Sequence, residues 1–76
     1  MKYIDDKYFI ALADHIKSIL EDKKIDIADL AAAANLDRRQ VYRLLNKENV
    51  PKLSTLVRIS LAAGIEPQQL FSLKFV

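Results

Sequence analysis

The sequence predicts an all-α protein, a single domain of five helices spanning residues 1–76. Apolar residues make up 51% of the chain, and many recur at the three- and four-residue spacing of an amphipathic helix. One glycine and two prolines are too few for the many turns of a small β protein. Cysteine is absent from the sequence, so stability has to come from packed side chains rather than from disulfides or a thiolate metal site.

The first two helices follow from periodicity and capping residues. The first runs from about Asp5 to Glu21 or Asp22, with an apolar stripe made of Phe9, Leu12, Ala13, Ile16, Ile19 and Leu20. The second covers residues 27–34, with the Asp26 carboxylate as its N-cap, and its alanine run lets a neighbouring helix approach closely. Asn35 ends it, because asparagine tolerates the left-handed conformation that a tight turn requires.

The third helix, residues 37–46, begins with Asp37 as its N-cap and has Gln40 in the capping-box position. Its apolar edge consists of Val41, Leu44 and Leu45. After a loop at 47–51, a fourth helix ends at Gly64 and has as its apolar residues Leu53, Leu56, Val57, Leu61 and Ala63. A short fifth helix opens at Glu66-Pro67, and we expect it to close the core with Leu70, Phe71 and Leu73.

The charges divide unevenly along the chain. Residues 1–35 carry five lysines and seven acidic residues, a balance of −2, whereas residues 36–76 carry seven bases and three acidic residues, a balance of +4. Such a split suggests that a polyanion faces one side of the fold. Taken by themselves, the charges fit a solvated face with chance clustering equally well.

Helices 27–34 and 37–46 are joined by only Asn35 and Leu36, a joint so short that the helices have to cross steeply. The second of them then protrudes with Arg38 and Arg39 in front and Arg43 one turn later. Arginine has two parallel donors that match guanine O6 and N7 or clamp a phosphate. Singly, each arginine is an ordinary solvated helix charge; together on this helix they predict entry into the major groove of DNA.

A pattern of apolar and small residues extends over residues 23–71. Its members are Leu30-Ala31, Asn35, Leu36, Val41, Leu44, Pro51-x-Leu53-x-x-Leu56, Ile59, Ala62, Gly64-Ile65 and Leu70-Phe71. With this pattern the chain resembles the repressor/Cro-type (XRE-like) helix-turn-helix domain of small bacterial and phage regulators. The stretch Asn35-Leu36-Asp37-Arg38 is similar to the controller proteins of restriction–modification systems.

The resemblance implies a repressor-like fold with its helix-turn-helix at about 27–46, and sequence-specific binding of double-stranded DNA by a transcriptional regulator. It implies base reading by Arg38, Arg39 and Arg43, and backbone or supporting contacts by Gln40, Tyr42, Asn46, Lys47 and Lys52. Tyr42 fits packing against the neighbouring fold equally well.

Two positions depart from the family pattern. Ile27 stands where the family often has a glutamine that contacts the DNA backbone, which puts that contact in doubt. Leu45-Asn46-Lys47 replaces the usual Glu-x-Gly at the end of the recognition helix, so a differently shaped turn is expected there.

A homodimer is expected, because one small domain reads only about half of a DNA site. Two-fold symmetry would place two recognition helices in successive major grooves, about 34–36 Å apart. The apolar C-terminal run supplies the expected partner surface, namely Leu73, Phe75 and Val76. In the alternative arrangement, Phe75 and Val76 fold back on the first helix beside Tyr3 and Tyr8.

Other function classes are disfavoured. His15 is the single histidine and lacks the partners of a catalytic or metal site, so neither an enzyme, a metal, a cofactor nor a small-molecule substrate is expected. The sequence has no apolar run long enough to span a membrane and no signal-peptide pattern, so a cytoplasmic protein is expected. The competing hypothesis is a protein-interaction module, antitoxin- or adaptor-like, with the same fold; the basic Arg38–Arg58 stretch favours DNA.

Overall fold

The computed structural model describes residues 2–73, with side chains from residue 7 onward. Its four α-helices are α1 (Lys2–Lys23), α2 (Ile27–Ala34), α3 (Arg38–Leu45) and α4 (Leu53–Ala62). A 3-10 helix, Pro67–Phe71, follows them, and residues 2–73 contain no β-strand. The all-α prediction is therefore confirmed. None of the helices in these residues is both long and apolar enough to cross a membrane.

The expected fifth α-helix is instead this five-residue 3-10 helix. The Gln69 amide donates to the Glu66 carbonyl at 2.9 Å, the shorter hydrogen-bond spacing of a 3-10 turn. The Gln69 side chain also accepts from the Glu66 amide at 2.8 Å and so tightens the turn. A segment this short forms too few α-type hydrogen bonds to offset the cost of nucleating an α-helix.

The helices enclose one core to which every element contributes. The largest fully buried apolar residues are Ile16 of α1, Leu30 of α2, Val41 of α3, Ile59 of α4 and Leu70 of the 3-10 helix. Within this arrangement α2 packs against both α3 and α4, while α1 packs against α3 and the 3-10 helix. Burying one such side chain stabilises the fold by about 1.5–3 kcal/mol, so α3 is firmly anchored through its inner face.

Phe71, expected to close the core, is exposed, and so are Leu53 and Leu61, two of the apolar residues that predicted the fourth helix. Leu53, Leu61 and Phe71 expose 69%, 66% and 51% of their surface. On α4 the buried face holds Leu56, Ile59, Ser60 and Ala63. Leu53 and Leu61 lie two turns apart on the adjacent face, which no described element covers, and Phe71 lies outside the core next to the buried Leu70.

The predicted cap of α2 is wrong in one respect. Asp26 has the extended backbone of an N-cap residue, but its carboxylate accepts no capping hydrogen bond. Its backbone carbonyl accepts the Leu30 amide at 2.9 Å instead. The first turn of α2 therefore begins without side-chain capping.

Each of the four α-helices is followed, one or two residues after its last residue, by a residue with a left-handed backbone: Lys24 (φ 57°), Asn35 (φ 58°), Lys47 (φ 64°) and Gly64 (φ 74°). At each end two backbone amides bond back in the Schellman pattern, for example Leu36 to Ala31 and Asn35 to Ala32. The left-handed prediction for Asn35 is confirmed. The residue that follows packs against the core at three of these ends (Ile25, Leu36 and Ile65), whereas the exposed Glu48 follows Lys47.

Candidate nucleic-acid interface

The turn between α2 and α3 sets the position of α3. Asn35, with φ 58° and ψ 46°, reverses the chain at the end of α2, and Leu36 packs against the core. Asp37 follows in extended conformation, and α3 begins at Arg38. Only three residues connect the two helices, and Leu36 among them packs against the core. The first turn of α3 is therefore fixed in position relative to α2.

The predicted capping box at the start of α3 is confirmed. Asp37 Oδ1 accepts the Arg39 backbone amide at 2.9 Å, and the Asp37 amide donates to Gln40 Oε1 at 3.1 Å. The backbone hydrogen bond from Arg39, and then the Arg39 side chain, hold the pKa of the Asp37 carboxyl below its ordinary value of 3.8. Asp37 therefore stays ionised at neutral pH.

The outer face of α3 carries the predicted base-reading residues. Val41, Leu44 and Leu45 are buried, so the side chains at i, i+4 and i+7 on the opposite face, Arg39, Arg43 and Asn46, are exposed. Arg38 and Tyr42 lie one turn apart along one edge of this face. Gln40 lies along the other edge. We call Arg39, Arg43 and Asn46, with Arg38 and Tyr42 at their side, the outer face of α3.

The three arginines differ in their contacts. Arg39 Nη2 lies 3.2 Å from Asp37 Oδ2, an ion pair in which both side chains are largely exposed. Arg38 and Arg43 form no salt bridge with any residue whose side chain is described. Arg39 is thus the one member of the group whose guanidinium already has an acidic partner.

Lys47, expected to contact phosphates, has a partner on α1. Its Nζ lies 2.8 Å from Asp14 Oδ1. Its left-handed backbone (φ 64°) lies where the resemblance implies a glycine, and the turn has the same Schellman hydrogen bonds as the other helix ends. The expectation of a differently shaped turn is therefore wrong. The Asn46 side chain is exposed at the end of the outer face.

A polar groove of about 560 Å³ runs beside α3, between its Gln40 edge and the start of α4. Its polar lining residues are Asn35, Gln40, Asn49, Lys52, Ser54, Thr55 and Arg58. No carboxylate lines it, so every charged group in the groove is a cation. Lys52 was predicted as a supporting residue. Asn49, Ser54, Thr55 and Arg58 were not, although the place of Arg58 at the end of the basic stretch was a usable signal.

A second, apolar groove of about 280 Å³ adjoins the polar groove, since Val50 and Pro51 line both. Its lining residues are Tyr8, Phe9, Leu12, Val50, Pro51, Leu56, Phe71 and Leu73. Leu73, predicted at a partner surface, is half-buried in this lining. Phe75 and Val76 lie outside the described residues.

His15 and Tyr42 lie between elements of the fold. His15 Nε2 donates to the Gln69 carbonyl at 2.8 Å and links α1 to the 3-10 helix, which agrees with a structural role.

Tyr42 is 46% exposed. It borders a groove shared with Lys17, Leu20 and Ile25. The ring is therefore only partly packed against the fold.

Comparison with known proteins decides the family. Residues 15–75, most of the chain, match the sequence model of the Cro/C1-type helix-turn-helix DNA-binding domain. The chain belongs to this family. It is thereby a DNA-binding protein of the transcriptional-regulator class.

The fold of this Cro/C1-type domain is similar to the crystal structure of the restriction-modification controller protein C.AhdI from Aeromonas hydrophila. The TM-score is 0.79 at 22% sequence identity, and the match covers 83% of this chain and 96% of that one. No curated protein sequence matches the chain. The structural match supports the arrangement of helices described above.

Proposed function

We propose that this Cro/C1-type domain regulates transcription by reading a specific DNA sequence in the major groove with the outer face of α3. The observation that carries the proposal is the division of α3 into two faces. Val41, Leu44 and Leu45 anchor the helix, while Arg39 and Arg43 project from the opposite side. A helix so anchored can enter a groove without rearrangement of the core.

In this proposal Arg38, Arg39 and Arg43 contact base edges, with Gln40 and Tyr42 beside them. Guanine is the expected target of each arginine, since its O6 and N7 accept both donors of one guanidinium. Arg39 and Arg43 lie on the outer face one turn apart, so they would meet successive base pairs.

The DNA backbone would lie along the polar groove beside α3. Lys52 and Arg58 supply charge there, and Asn49, Ser54 and Thr55 supply neutral donors. Backbone contacts of this kind position the protein without reading sequence. Asn46 would add a contact at the far end of α3, and Lys47 would add another with the ammonium donors that Asp14 leaves free.

We further propose that the protein acts as a homodimer. A lone domain of this size discriminates poorly against the many competing sites of a genome. Phe71 and Val50 expose 51% and 70% of their surface at the apolar groove, and Leu73 lines it too. A second copy placed over this groove, with Phe75 and Val76 in the contact, would remove these side chains from water.

The structural match is itself named a controller protein, which supports the proposed regulatory role.

The rival function is binding of another protein, for which the same exposed apolar residues would serve. Selection of bound duplexes from a random DNA pool separates the two. We expect a near-palindromic consensus, together with an affinity that falls steeply with salt as counterions are released. Failure to enrich any sequence, combined with salt-insensitive or absent binding to random duplex, would leave the protein-binding function.

The dimer is tested by sedimentation at micromolar concentration with and without Phe75→Asp. We expect the unmodified protein to be a dimer and the variant a monomer that binds the selected site weakly. Phe71→Asp tests the described part of the same surface. If all three proteins sediment as monomers, even with the selected duplex present, the homodimer proposal fails while the DNA-reading proposal stands.

A further inference from the structure

Asp37 places a negative charge at the tip of the helix proposed to enter DNA. A carboxylate close to phosphates is repelled by them, so it opposes binding unless another interaction offsets the repulsion. Capping alone does not require an acid, because serine, threonine and asparagine cap helices about as well as aspartate. The contacts of Asp37 give its carboxylate a second use.

Both carboxylate oxygens of Asp37 bind the same residue. Oδ1 accepts the Arg39 backbone amide at 2.9 Å, and Oδ2 lies 3.2 Å from Arg39 Nη2. Since Oδ1 is tied to the backbone, the carboxylate cannot turn freely, and Oδ2 gives the Arg39 guanidinium one preferred position among the conformers open to it. The side chains of Arg39 and Asp37 are 80% and 50% exposed, so water weakens this ion pair and it adds little to folding stability.

We propose, on the basis of the DNA-reading function above, that Asp37 is a positioning residue: it orients the Arg39 guanidinium and so sets the selectivity of the base pair that Arg39 reads. An unheld arginine samples many conformers and can turn its donors toward phosphates. An arginine already held by Asp37 loses less conformational freedom on meeting guanine O6 and N7. When α3 enters the major groove, water is excluded and the electrostatic attraction between Asp37 and Arg39 becomes stronger.

Arg43 provides an internal comparison. It lies one turn further along the same outer face but forms no salt bridge or hydrogen bond with Asp37, on which its charge acts only at a distance. The base pair read by Arg39 should therefore depend on Asp37, and the base pair read by Arg43 should not.

Asp37→Ser is the decisive variant, because serine keeps the cap and removes the oxygen that holds the guanidinium. Its affinity is measured for the duplex selected from the random pool, for single-position variants of that duplex and for a random-sequence duplex. We expect discrimination to fall by about tenfold at one base pair. Binding to random duplex should stay the same or strengthen, since a negative charge is lost.

The remaining variants separate positioning from capping. Asp37→Ala removes both functions and should also lower the melting temperature, which Asp37→Ser should not. Arg39→Ala should relax the same base pair as Asp37→Ser. In the Arg39→Ala background, Asp37→Ser should then have no further effect on discrimination, because the side chain it positions is absent.

Two results overturn the inference in different ways. If Asp37→Ser discriminates like the unmodified protein while Arg39→Ala does not, Arg39 reads DNA but Asp37 does not position it. If Arg39→Ala also discriminates normally, the base-reading role of Arg39 in the proposed function fails as well. Equal relaxation at every position would likewise contradict positioning, since that result indicates a general loss of helix geometry.

Discussion

The N-terminal end of α3 is fixed by a left-handed turn, core packing and a capping box, whereas its C-terminal end combines a left-handed turn with an ion pair to α1. The front end consists of the left-handed Asn35, the anchored Leu36 and the capping box of Asp37 with Gln40. At the back end Lys47 is also left-handed, yet its side chain bonds Asp14.

The two ends also differ in how they meet the core. Leu36 follows the left-handed residue at the front and packs against the core, as an apolar residue in that position of a Schellman motif usually does. Glu48 has the equivalent position at the back and is exposed. The back end is thus joined to the rest of the fold by the surface ion pair of Lys47 with Asp14, whereas the front end is joined by the apolar packing of Leu36. The front end is thus fixed by local geometry, which suits the end that carries two of the proposed base-reading side chains, Arg38 and Arg39.

The largest effect that distinguishes the ends should be on DNA binding. Arg39→Ala, at the front, should cost about 1–3 kcal/mol of binding free energy for the selected site and relax specificity at one position. Asn46→Ala, at the back, should weaken binding to all sequences by the same factor, and this factor should be smaller than the effect of Arg39→Ala on the selected site. Fluorescence anisotropy with selected and random duplexes measures both. Unchanged binding by Arg38→Ala, Arg39→Ala and Arg43→Ala alike would mean that α3 is not the recognition helix.

The next effect is on stability at the front turn. Asn35→Val should lower the free energy of unfolding by about 1–2 kcal/mol, because a β-branched residue resists a positive φ. Asn35→Gly should be neutral or mildly stabilising, since glycine adopts this conformation without steric cost. Thermal melts of the two variants test the comparison. Equal melting temperatures would show that the left-handed conformation of Asn35 does not constrain the joint.

A smaller effect is expected at the back turn, with Lys24 as the matched control. Lys24 and Lys47 have similar left-handed backbones, but only Lys47 has an ion-pair partner among residues 7–73. Glycine at either position should relieve the strain and stabilise by up to about 1 kcal/mol. Lys47→Gly also loses the Asp14 ion pair, worth about 0.2–1 kcal/mol, so it should stabilise less.

Salt sharpens this comparison. Lys47→Gly and Lys24→Gly should converge in melting temperature as ionic strength rises, because salt screens the exposed pair. If Lys47→Gly stabilises at least as much as Lys24→Gly in low salt, the Asp14 contact does not hold the back end.

The smallest effect is a shift in the titration of Asp37. Its pKa is lowered in the folded protein, so its carboxylate stabilises the fold above the unfolded-state pKa. That contribution is lost as the pH falls through the folded-state pKa, which lies below the ordinary value of 3.8. In Arg39→Ala the pKa should rise only part of the way, because the backbone hydrogen bond remains. Carboxyl NMR titration of both proteins checks this, and an unchanged pKa would show that the guanidinium does not act on Asp37.

Most errors in the sequence prediction concern which side chains of an element meet the core, whereas the error at Asp26 is local. The stripe Leu53, Val57 and Leu61 has the same helical spacing as a core stripe, and periodicity alone does not tell which face of α4 meets the other helices. Asp26 has the residue type of a cap, but the residue type does not fix the rotamer that capping requires. Phe71 is apolar like Leu70 beside it, yet only Leu70 reaches the core.

The sequence by itself determined the all-α class, the bounds of α2, the left-handed turn at Asn35 and the capping box of Asp37 with Gln40. These features depend on residues within a turn of one another, so local sterics and hydrogen bonding settle them wherever the segment lies. The tertiary structure decided that Lys47 bonds Asp14, that Arg58 joins the polar groove beside Gln40 and that Leu61 stays exposed. Each of these depends on how separate helices cross, and the crossing is set by packing of the whole core rather than by neighbours along the chain.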